Sequence, residues 1–239
     1  MTSEPNAVAM IVERLVGQIA AAPVDPAPSD NIYIEQAFSD EVYHEILARM
    51  PPDDAMDFLP HRDIVRDDRT STRRFLTLSH ETIERLPPND RIFWRTMHAA
   101  FTDVRLTAAI MQKFGSTLRV RFGETLPALS PEPMMYRDYP GYFISPHPDA
   151  LSKIATLQFY LPPDSSQAHL GTTFHRREGG TFVDLKTNRF LPNTAYAFVR
   201  TEESWHSVKQ LGREESIRNT IALTYFLEGQ EYRNPTRSM

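Results

Sequence analysis

The sequence predicts an α+β protein with a mainly β core, an antiparallel sandwich or barrel supported by N-terminal helices. The first half of the chain is rich in helix-forming residues. Beyond Ser116 it breaks into short runs of β-branched and aromatic residues separated by Pro, Gly, Asn and Asp, a spacing typical of antiparallel sandwiches and barrels. At 239 residues we expect a single domain, 1–239, with 1–115 as mostly helical support and 116–230 as the β core.

The first half is expected to hold one strand among several helices. Residues 7–21 are predicted to form a short amphipathic helix, and the proline-rich "APVDPAPSDN" after them cannot continue it. "NIYIEQAFS" is a strand candidate, followed by Ser39 and Asp40 as capping residues of a helix over "EVYHEILARM". The segment from Asn89, closed by Gly115, predicts one or two further helices.

The second half is predicted to be a series of strands: "LRVRF", "PMMYRDY", "KIATLQFYL", "GTTFHR", "GTFVDL", "TAYAFV" and "RNTIALTYF". In the last run, period-two alternation gives two faces of different character. One face is small and polar around a single arginine, and the other is bulky and largely apolar: Arg218, Thr220, Ala222 and Thr224 against Asn219, Ile221, Leu223 and Tyr225. The first face suits a ligand pocket and the second suits packing.

Composition excludes several classes of function. The net charge of -5, with both signs interspersed, gives no broad basic face for nucleic acid and no polybasic run for a membrane surface. The absence of cysteine excludes disulfides, thiolate metal sites and a cysteine nucleophile. Glu13 and Arg14 interrupt the first apolar run, so no signal peptide is indicated. No later apolar run reaches transmembrane length. A cytoplasmic location is therefore expected.

Two His-x-Asp pairs occur, and about one His-x-acid pair is expected by chance from this composition. Residues i and i+2 of an extended segment face the same side, so His147 and Asp149 can reach one ion. His206, after the strand "TAYAFV", would complete two histidines and one carboxylate, the facial set of non-heme Fe(II) sites. His61 and Asp63 lie in a charged stretch without such a completion and are interpreted as surface polar residues.

Arg218 follows His206 on the polar face of the next strand. An oxo-acid co-substrate carries a dianion whose far carboxylate needs a fixed cation with a planar fork, which arginine provides. The alternative is an arginine paired with a carboxylate of the protein.

In this order and on these predicted strands, the four residues resemble the 2-oxoglutarate and Fe(II)-dependent oxygenases, specifically their prolyl-hydroxylase-like branch. "MMYRDYPGYFISPHPD" resembles the tyrosine, turn glycine and metal pair of that branch, "LQFYLPP" its following strand, and "RNTIALTYF" its arginine strand. The resemblance covers roughly residues 32 to 228 and implies a double-stranded β-helix, or jelly roll.

The resemblance also implies roles for individual residues. His147, Asp149 and His206 would hold Fe(II), and Arg218 would pair with the distal carboxylate of 2-oxoglutarate. Four further residues on these strands are candidates for co-substrate contacts: Tyr136, Tyr160, Thr156 and Thr220.

The implied reaction uses O₂ and 2-oxoglutarate, releases succinate and CO₂, and hydroxylates an unactivated C–H bond. Asp149 argues against halogenation, because halogenating relatives lack the carboxylate. Desaturation, epimerisation and ring formation stay open. A small-molecule metabolite is the first expectation for the substrate, a protein residue hydroxylated in the prolyl-hydroxylase manner the second, and a non-catalytic cupin-like binding protein a third interpretation. Self-association into a homo-oligomer is left open by the sequence.

Two clusters of basic residues raise the hypothesis of an anionic substrate. One cluster lies in the segment from Pro162 to Gly180, which we interpret as a candidate lid over the site. Its stretch "HLGTTFHR" has only Gly171 where many relatives carry Gly-Gly ahead of the strand. The other lies in a predicted polar loop of the first half. Their members are His169, His175, Arg176 and Arg177 in the first cluster and Arg69, Arg73 and Arg74 in the second. The competing interpretation is that they are solvated loop charges.

Overall fold

The computed structural model describes residues 4–59 and 71–230. The His61 and Asp63 pair and Arg69 lie outside these ranges. Within the described residues six α-helices lie before residue 123: α1 (Glu4–Ala21), α2 (Asp40–Ala48), α3 (His80–Ile83), α4 (Pro88–Phe101), α5 (Val104–Lys113) and α6 (Gly115–Phe122). The predicted cap of α2 is confirmed, because the Ser39 hydroxyl accepts a hydrogen bond from the Val42 amide at 3.3 Å.

The strands pair antiparallel in two sheets. They are β1 (Asn31–Ile34), β2 (Asp57–Phe58), β3 (Arg73–Thr77), β4 (Leu129–Asp138), β5 (Ile144–His147), β6 (Lys153–Tyr160), β7 (Thr172–Glu178), β8 (Thr181–Thr187), β9 (Ala195–Val199), β10 (His206–Val208) and β11 (Arg218–Leu227). A seven-stranded sheet has the order β1-β9-β6-β11-β4-β3-β2, and a four-stranded sheet has the order β5-β10-β7-β8. The expectation of mainly antiparallel sheets supported by N-terminal helices is confirmed.

Each face of the seven-stranded sheet packs against a different partner. Ile221 and Leu223 of β11 join a large apolar cluster with side chains of the helices, among them Trp94 of α4. On the opposite face, Tyr160 and Tyr196 pack in a smaller aromatic cluster with side chains from the four-stranded sheet and the segments flanking it. The alternation predicted for β11 is therefore confirmed, and its polar face is turned towards the four-stranded sheet.

Three predictions about local structure are wrong. "LRVRF" alternates like a strand but lies in α6. Leu118 is buried and Val120 is 89% exposed, although a strand would put these two residues on the same face. The predicted loop around Arg73 and Arg74 is the strand β3, which pairs with β4 through Arg73↔Asp138.

The segment from Pro162 to Gly180 is not one loop, because β7 occupies much of it. A short 3₁₀ helix, Ala168–Leu170, precedes that strand. A Cβ on Gly171 would meet the Asn188 carbonyl oxygen at 1.5 Å, so the chain is packed tightly there. The part of the segment that precedes β7 is therefore tied to the sheet, and the lid interpretation has no support from its contacts.

No helix within 4–59 and 71–230 combines the length and the apolar character needed to cross a bilayer.

Candidate metal centre

Three potential ligands converge at one end of the four-stranded sheet. His147 of β5 and His206 of β10 are directly paired in the antiparallel register, with ring centroids 4.5 Å apart. Asp149 follows β5, and one ligand atom from each of the three lies within 4.8 Å of the other two. Among the residues that the structure describes, this is the one group of three or more His, Cys, Asp or Glu side chains with such a geometry. The structure therefore brings together the residues that the sequence predicted.

Backbone carbonyls orient both histidines. Nδ1 of His147 bonds to the Ser145 carbonyl oxygen and Nδ1 of His206 to the Ser204 carbonyl oxygen, each at 2.9 Å. A carbonyl oxygen only accepts, so each Nδ1 carries the proton, and each Nε2 is left with a lone pair. This arrangement is typical of metal-binding histidines, whose second ring nitrogen is held by a protein acceptor.

Asp149 is buried and is held by three neighbours, two at its carboxylate and one at its backbone oxygen. Lys153 Nζ lies 2.8 Å from Oδ1, the Thr156 hydroxyl donates to Oδ2 at 3.3 Å, and Arg200 Nε donates to the Asp149 backbone oxygen at 3.1 Å. Burial alone would raise the pKa of Asp149, but the positive charge of Lys153, with smaller effects of His206 and His147, outweighs it and holds the pKa well below its usual range. The group is therefore a carboxylate at neutral pH.

Burial has the opposite consequence for a histidine. It lowers the pKa of His206 to about 4, although the charge of Asp149 opposes the shift. The imidazole is thus neutral at physiological pH, as a metal ligand must be.

A cavity of about 100 Å³ extends from these ligands between the two sheets. Most of the predicted site residues line it, as do two cations and several polar groups beside them. The predicted residues among its walls are His147, Asp149, His206, Tyr136, Thr156 and Arg218, and the other walls include Arg73, Tyr142, Lys153, Gln158, Thr172 and Tyr196.

Arg218 is completely buried and already partly paired. Its Nη1 lies 2.8 Å from Asp138 Oδ2, and its Nε donates to the Leu170 carbonyl oxygen at 2.9 Å. Its Nη2 is buried with no hydrogen-bond partner among the described residues. The protein-carboxylate alternative considered for this arginine is thus realised by Asp138, while one donor is left for a ligand.

Asp138 is shared with a second arginine. Arg73 Nε and Nη2 approach the two oxygens of Asp138 at 2.6 and 3.0 Å. The Arg73 guanidinium also lies over the Tyr136 and Tyr142 rings, at 4.4 and 4.2 Å from their centroids. Two cations and one carboxylate therefore form a cluster at the wall of the cavity.

Tyr160 and Thr220 lie near the cavity, but their hydroxyls are bonded to protein groups. The Tyr160 hydroxyl accepts from the Thr172 amide at 2.8 Å, and the Thr220 hydroxyl accepts from Gln158 Nε2 at 2.9 Å. The Tyr160 ring lies 5.5 Å from the Arg218 guanidinium carbon. Co-substrate contacts of these two residues stay predictions.

The basic residues predicted to meet an anionic substrate divide by location. Arg73 lines the cavity, whereas the four from the Pro162–Gly180 segment and Arg74 do not. The latter pair with neighbours: His169 with Glu215, His175 with Ser207, Arg176 with Glu178, Arg177 with the Trp205 ring, and Arg74 with the Asp53 carbonyl.

Lys153 and Asp138 were not singled out from the sequence. Both belong to predicted strands, and the position of Lys153 shortly after Asp149 was a usable signal. The sequence contains no comparable signal for Asp138, because its contact with Arg73 depends on the pairing of β3 with β4.

No family model matches the chain, and no curated protein matches it significantly. Similarity to solved structures is clear. A prolyl-4-hydroxylase of Pseudomonas putida aligns over 92% of this chain and 100% of its own, with a TM-score of 0.52 and 16% identity. A prolyl hydroxylase of Trichoplax adhaerens, solved in complex with a peptide fragment of hypoxia-inducible factor, aligns over 96% of this chain and 95% of its own, with a TM-score of 0.51 and 13% identity.

A third similar structure is the non-heme, α-ketoglutarate-dependent epimerase SnoN of nogalamycin biosynthesis, over 90% of this chain and 82% of its own, with a TM-score of 0.52 and 12% identity. At these identities the likeness concerns the fold. The chain has the fold of the 2-oxoglutarate and Fe(II)-dependent oxygenases, including the prolyl hydroxylases, as its motifs predicted.

Proposed function

We propose that this protein is an Fe(II)- and 2-oxoglutarate-dependent dioxygenase that hydroxylates an unactivated C–H bond of a small-molecule metabolite. The observation that carries the proposal is the content of one cavity. Two oriented histidines and a carboxylate lie in it together with a buried arginine whose Nη2 has no hydrogen-bond partner among the described residues. Neither the His-Asp-His set nor the buried arginine alone indicates this chemistry, but their combination in one cavity does.

The donor set fits Fe(II). Two imidazole nitrogens and one carboxylate oxygen form a facial set that leaves coordination positions open. Asp149 is ionised and His206 is neutral, so neither has to change its protonation state to bind a metal at neutral pH. When bound, the iron supplies the sites at which 2-oxoglutarate and O₂ react, with release of succinate and CO₂.

The cavity also fits the anionic co-substrate. The unpartnered Nη2 of Arg218 is a buried donor that a carboxylate would satisfy. Tyr136 lines the same cavity and offers a further hydroxyl, whereas the Tyr160 ring lies beside the arginine without lining the cavity. Arg218 anchors the distal carboxylate in this proposal, and the Asp138 contact fixes its orientation.

The topology supports a double-stranded β-helix as the finer description of the fold. Along the chain, strands β4 to β11 alternate between the sheets except for β7 and β8, which pair with each other in the smaller sheet. Four of the eight form β9-β6-β11-β4 and the other four form β5-β10-β7-β8. The helices cover the outer face of the larger sheet. We regard 4–230 as one catalytic unit on this basis.

Two substrate classes follow from the proteins with a similar fold. The epimerase SnoN acts in the biosynthesis of a small molecule, which makes a metabolite the first choice. The prolyl hydroxylases, one of them solved with a peptide, favour a protein residue as the second candidate. Fold likeness does not decide between the two.

The test begins without substrate. Anaerobic addition of Fe(II) and then 2-oxoglutarate should give a weak visible charge-transfer band, and admission of O₂ should release succinate. His147→Ala and Asp149→Ala should lose both signals, whereas His44→Ala, at an α2 histidine outside the cavity, should keep them. A stable protein that binds Fe(II) but gives neither band nor succinate would instead be a cupin-like binding protein.

A further inference from the structure

The cavity contains more positive charge than the proposed reaction needs. Lys153, the first residue of β6, lines it beside the metal ligands, and its side chain is 29% exposed. Arg73 lines it from β3, and its side chain is 12% exposed. Neither cation is one of the three candidate metal ligands, and neither is the arginine assigned to the distal carboxylate, although Lys153 contacts Asp149 and Arg73 shares Asp138 with Arg218.

The charges fall into three groups. Arg73 and Arg218 share one carboxylate, Asp138, so that group keeps one positive charge. A divalent metal on Asp149 leaves another positive charge at the metal. Lys153 contributes the third, because metal binding engages the Asp149 carboxylate that otherwise neutralises the lysine.

The 2-oxoglutarate dianion neutralises two of these three charges. One positive charge is left in a partly buried cavity, where an ion without a counter-charge is unfavourable. Lys153 is the group best placed to carry it, because the ammonium has three donors and one of them meets Asp149. Its position beside the metal is also where a reacting molecule must lie.

From this charge balance we propose that the primary substrate is an anion whose carboxylate pairs with Lys153 while Arg73 adds to the positive potential. The proposal rests on the proposed function, since the count includes metal and 2-oxoglutarate. Three contacts of roughly 2–3 Å each would join such a carboxylate to the metal: from the metal to Asp149, from Asp149 to Lys153, and from Lys153 to the carboxylate. The carboxylate would therefore lie within about 8 Å of the metal.

The experiment uses acetate as the probe, acetamide as its neutral isostere, and the protein loaded with Co(II) and 2-oxoglutarate. Paramagnetic Co(II) speeds the relaxation of the methyl protons of any molecule bound near it. We expect enhanced relaxation of acetate and at least fivefold less for acetamide. Lys153→Met should reduce the acetate effect at least fivefold, Lys153→Arg should keep most of it, and Lys209→Met should leave it unchanged, since Lys209 is exposed and outside the cavity.

Equal effects of acetate and acetamide would overturn the proposal, as would no acetate effect in the wild type. An acetate effect that persists in Lys153→Met would mean that acetate binds the metal directly, and would also overturn it. The Co(II) content of each variant is measured first. If Lys153→Met does not bind Co(II), two other comparisons decide: the relaxation of acetate against that of acetamide in the wild type, and the relaxation of acetate in Lys153→Arg against that in the wild type.

Failure of the proposed function has a separate signature. If 2-oxoglutarate leaves the visible Co(II) spectrum unchanged, the oxygenase assignment fails. The acetate relaxation is then measured on the protein loaded with Co(II) alone. Without the 2-oxoglutarate dianion all three positive charges stay uncompensated, so the same dependence on Lys153 is expected.

Discussion

Replacing Asp138 by Asn should destabilise the protein more than removing either arginine that it binds. Asp138 is completely buried and accepts three charge-assisted contacts, at 2.6 and 3.0 Å from Arg73 and at 2.8 Å from Arg218. Both arginines meet at the same oxygen, Oδ2. The amide would leave two guanidinium groups facing each other without a counter-charge.

The expected magnitudes follow from what each variant leaves behind. Breaking a buried ion pair typically costs about 3–5 kcal/mol when a charge is stranded, and Asp138→Asn strands two. Arg218→Met leaves Asp138 paired with Arg73 and strands no charge, but it removes the hydrogen bonds of Arg218 to Asp138 and to the Leu170 carbonyl oxygen, each worth about 1.5–3 kcal/mol. The double variant strands only Arg73 and should be more stable than the sum of the single effects predicts, by roughly 1–3 kcal/mol.

Urea unfolding of the four proteins measures these free energies. For a chain of this length, 1 kcal/mol corresponds to about 2–4 °C in melting temperature, so Asp138→Asn should lower Tm by at least roughly 6 °C. Added 2-oxoglutarate should also raise the Tm of Asp138→Asn more than that of the wild type, since its carboxylates replace a missing counter-charge. Additive single effects, or an Asp138→Asn protein as stable as the wild type, would refute the reasoning.

Further predictions concern the metal site and its supports. Asp149→Glu should fold normally but lose at least about tenfold in succinate release, because the carboxylate moves by about a bond length where roughly 0.5 Å is tolerated; undiminished turnover would argue against ligation. Arg200→Gln should weaken Co(II) binding about 10-fold in a spectral titration by freeing the Asp149 backbone, with an unchanged affinity as the contrary result. Tyr160→Phe should lower the unfolding free energy by about 1–3 kcal/mol in urea, since the buried Thr172 amide loses its acceptor. The pKa of His206 is about 4 in the folded state, below its unfolded value of about 6.5. The metal-free protein should therefore lose up to about 3 kcal/mol of unfolding free energy as the pH falls from 6.5 towards 4, because the unfolded state takes up the proton first. His206→Gln should flatten this part of the stability profile, and an unchanged slope would contradict the reasoning.

The convergence of the candidate metal ligands could be predicted because their signal is local. His147 and Asp149 share a side of one extended segment, and His206 follows a strongly patterned strand. The same holds for β11, where alternation alone placed Arg218 towards the cavity and Ile221 towards the helices, as the structure has them.

Features that depend on docking between distant segments were not predictable. The Asp138 cluster exists because β3 pairs with β4 and brings Arg73 beside a carboxylate that β11 also reaches. The helix α6 shows the same limit, since its alternating sequence favours a strand and only tertiary packing reveals that one side is covered. The single sequence contains neither piece of information.

The register of β5 and β10 has a consequence for how the protein would acquire the proposed metal. His147 and His206 face each other only after two strands distant in sequence have paired, with β6 to β9 formed between them along the chain. Pairing over such separations is a late and slow event in folding. A chain still emerging from the ribosome holds His147 and Asp149 without their third partner, so metal capture reports completed folding, and fragments that stop before His206 should bind no iron at this site.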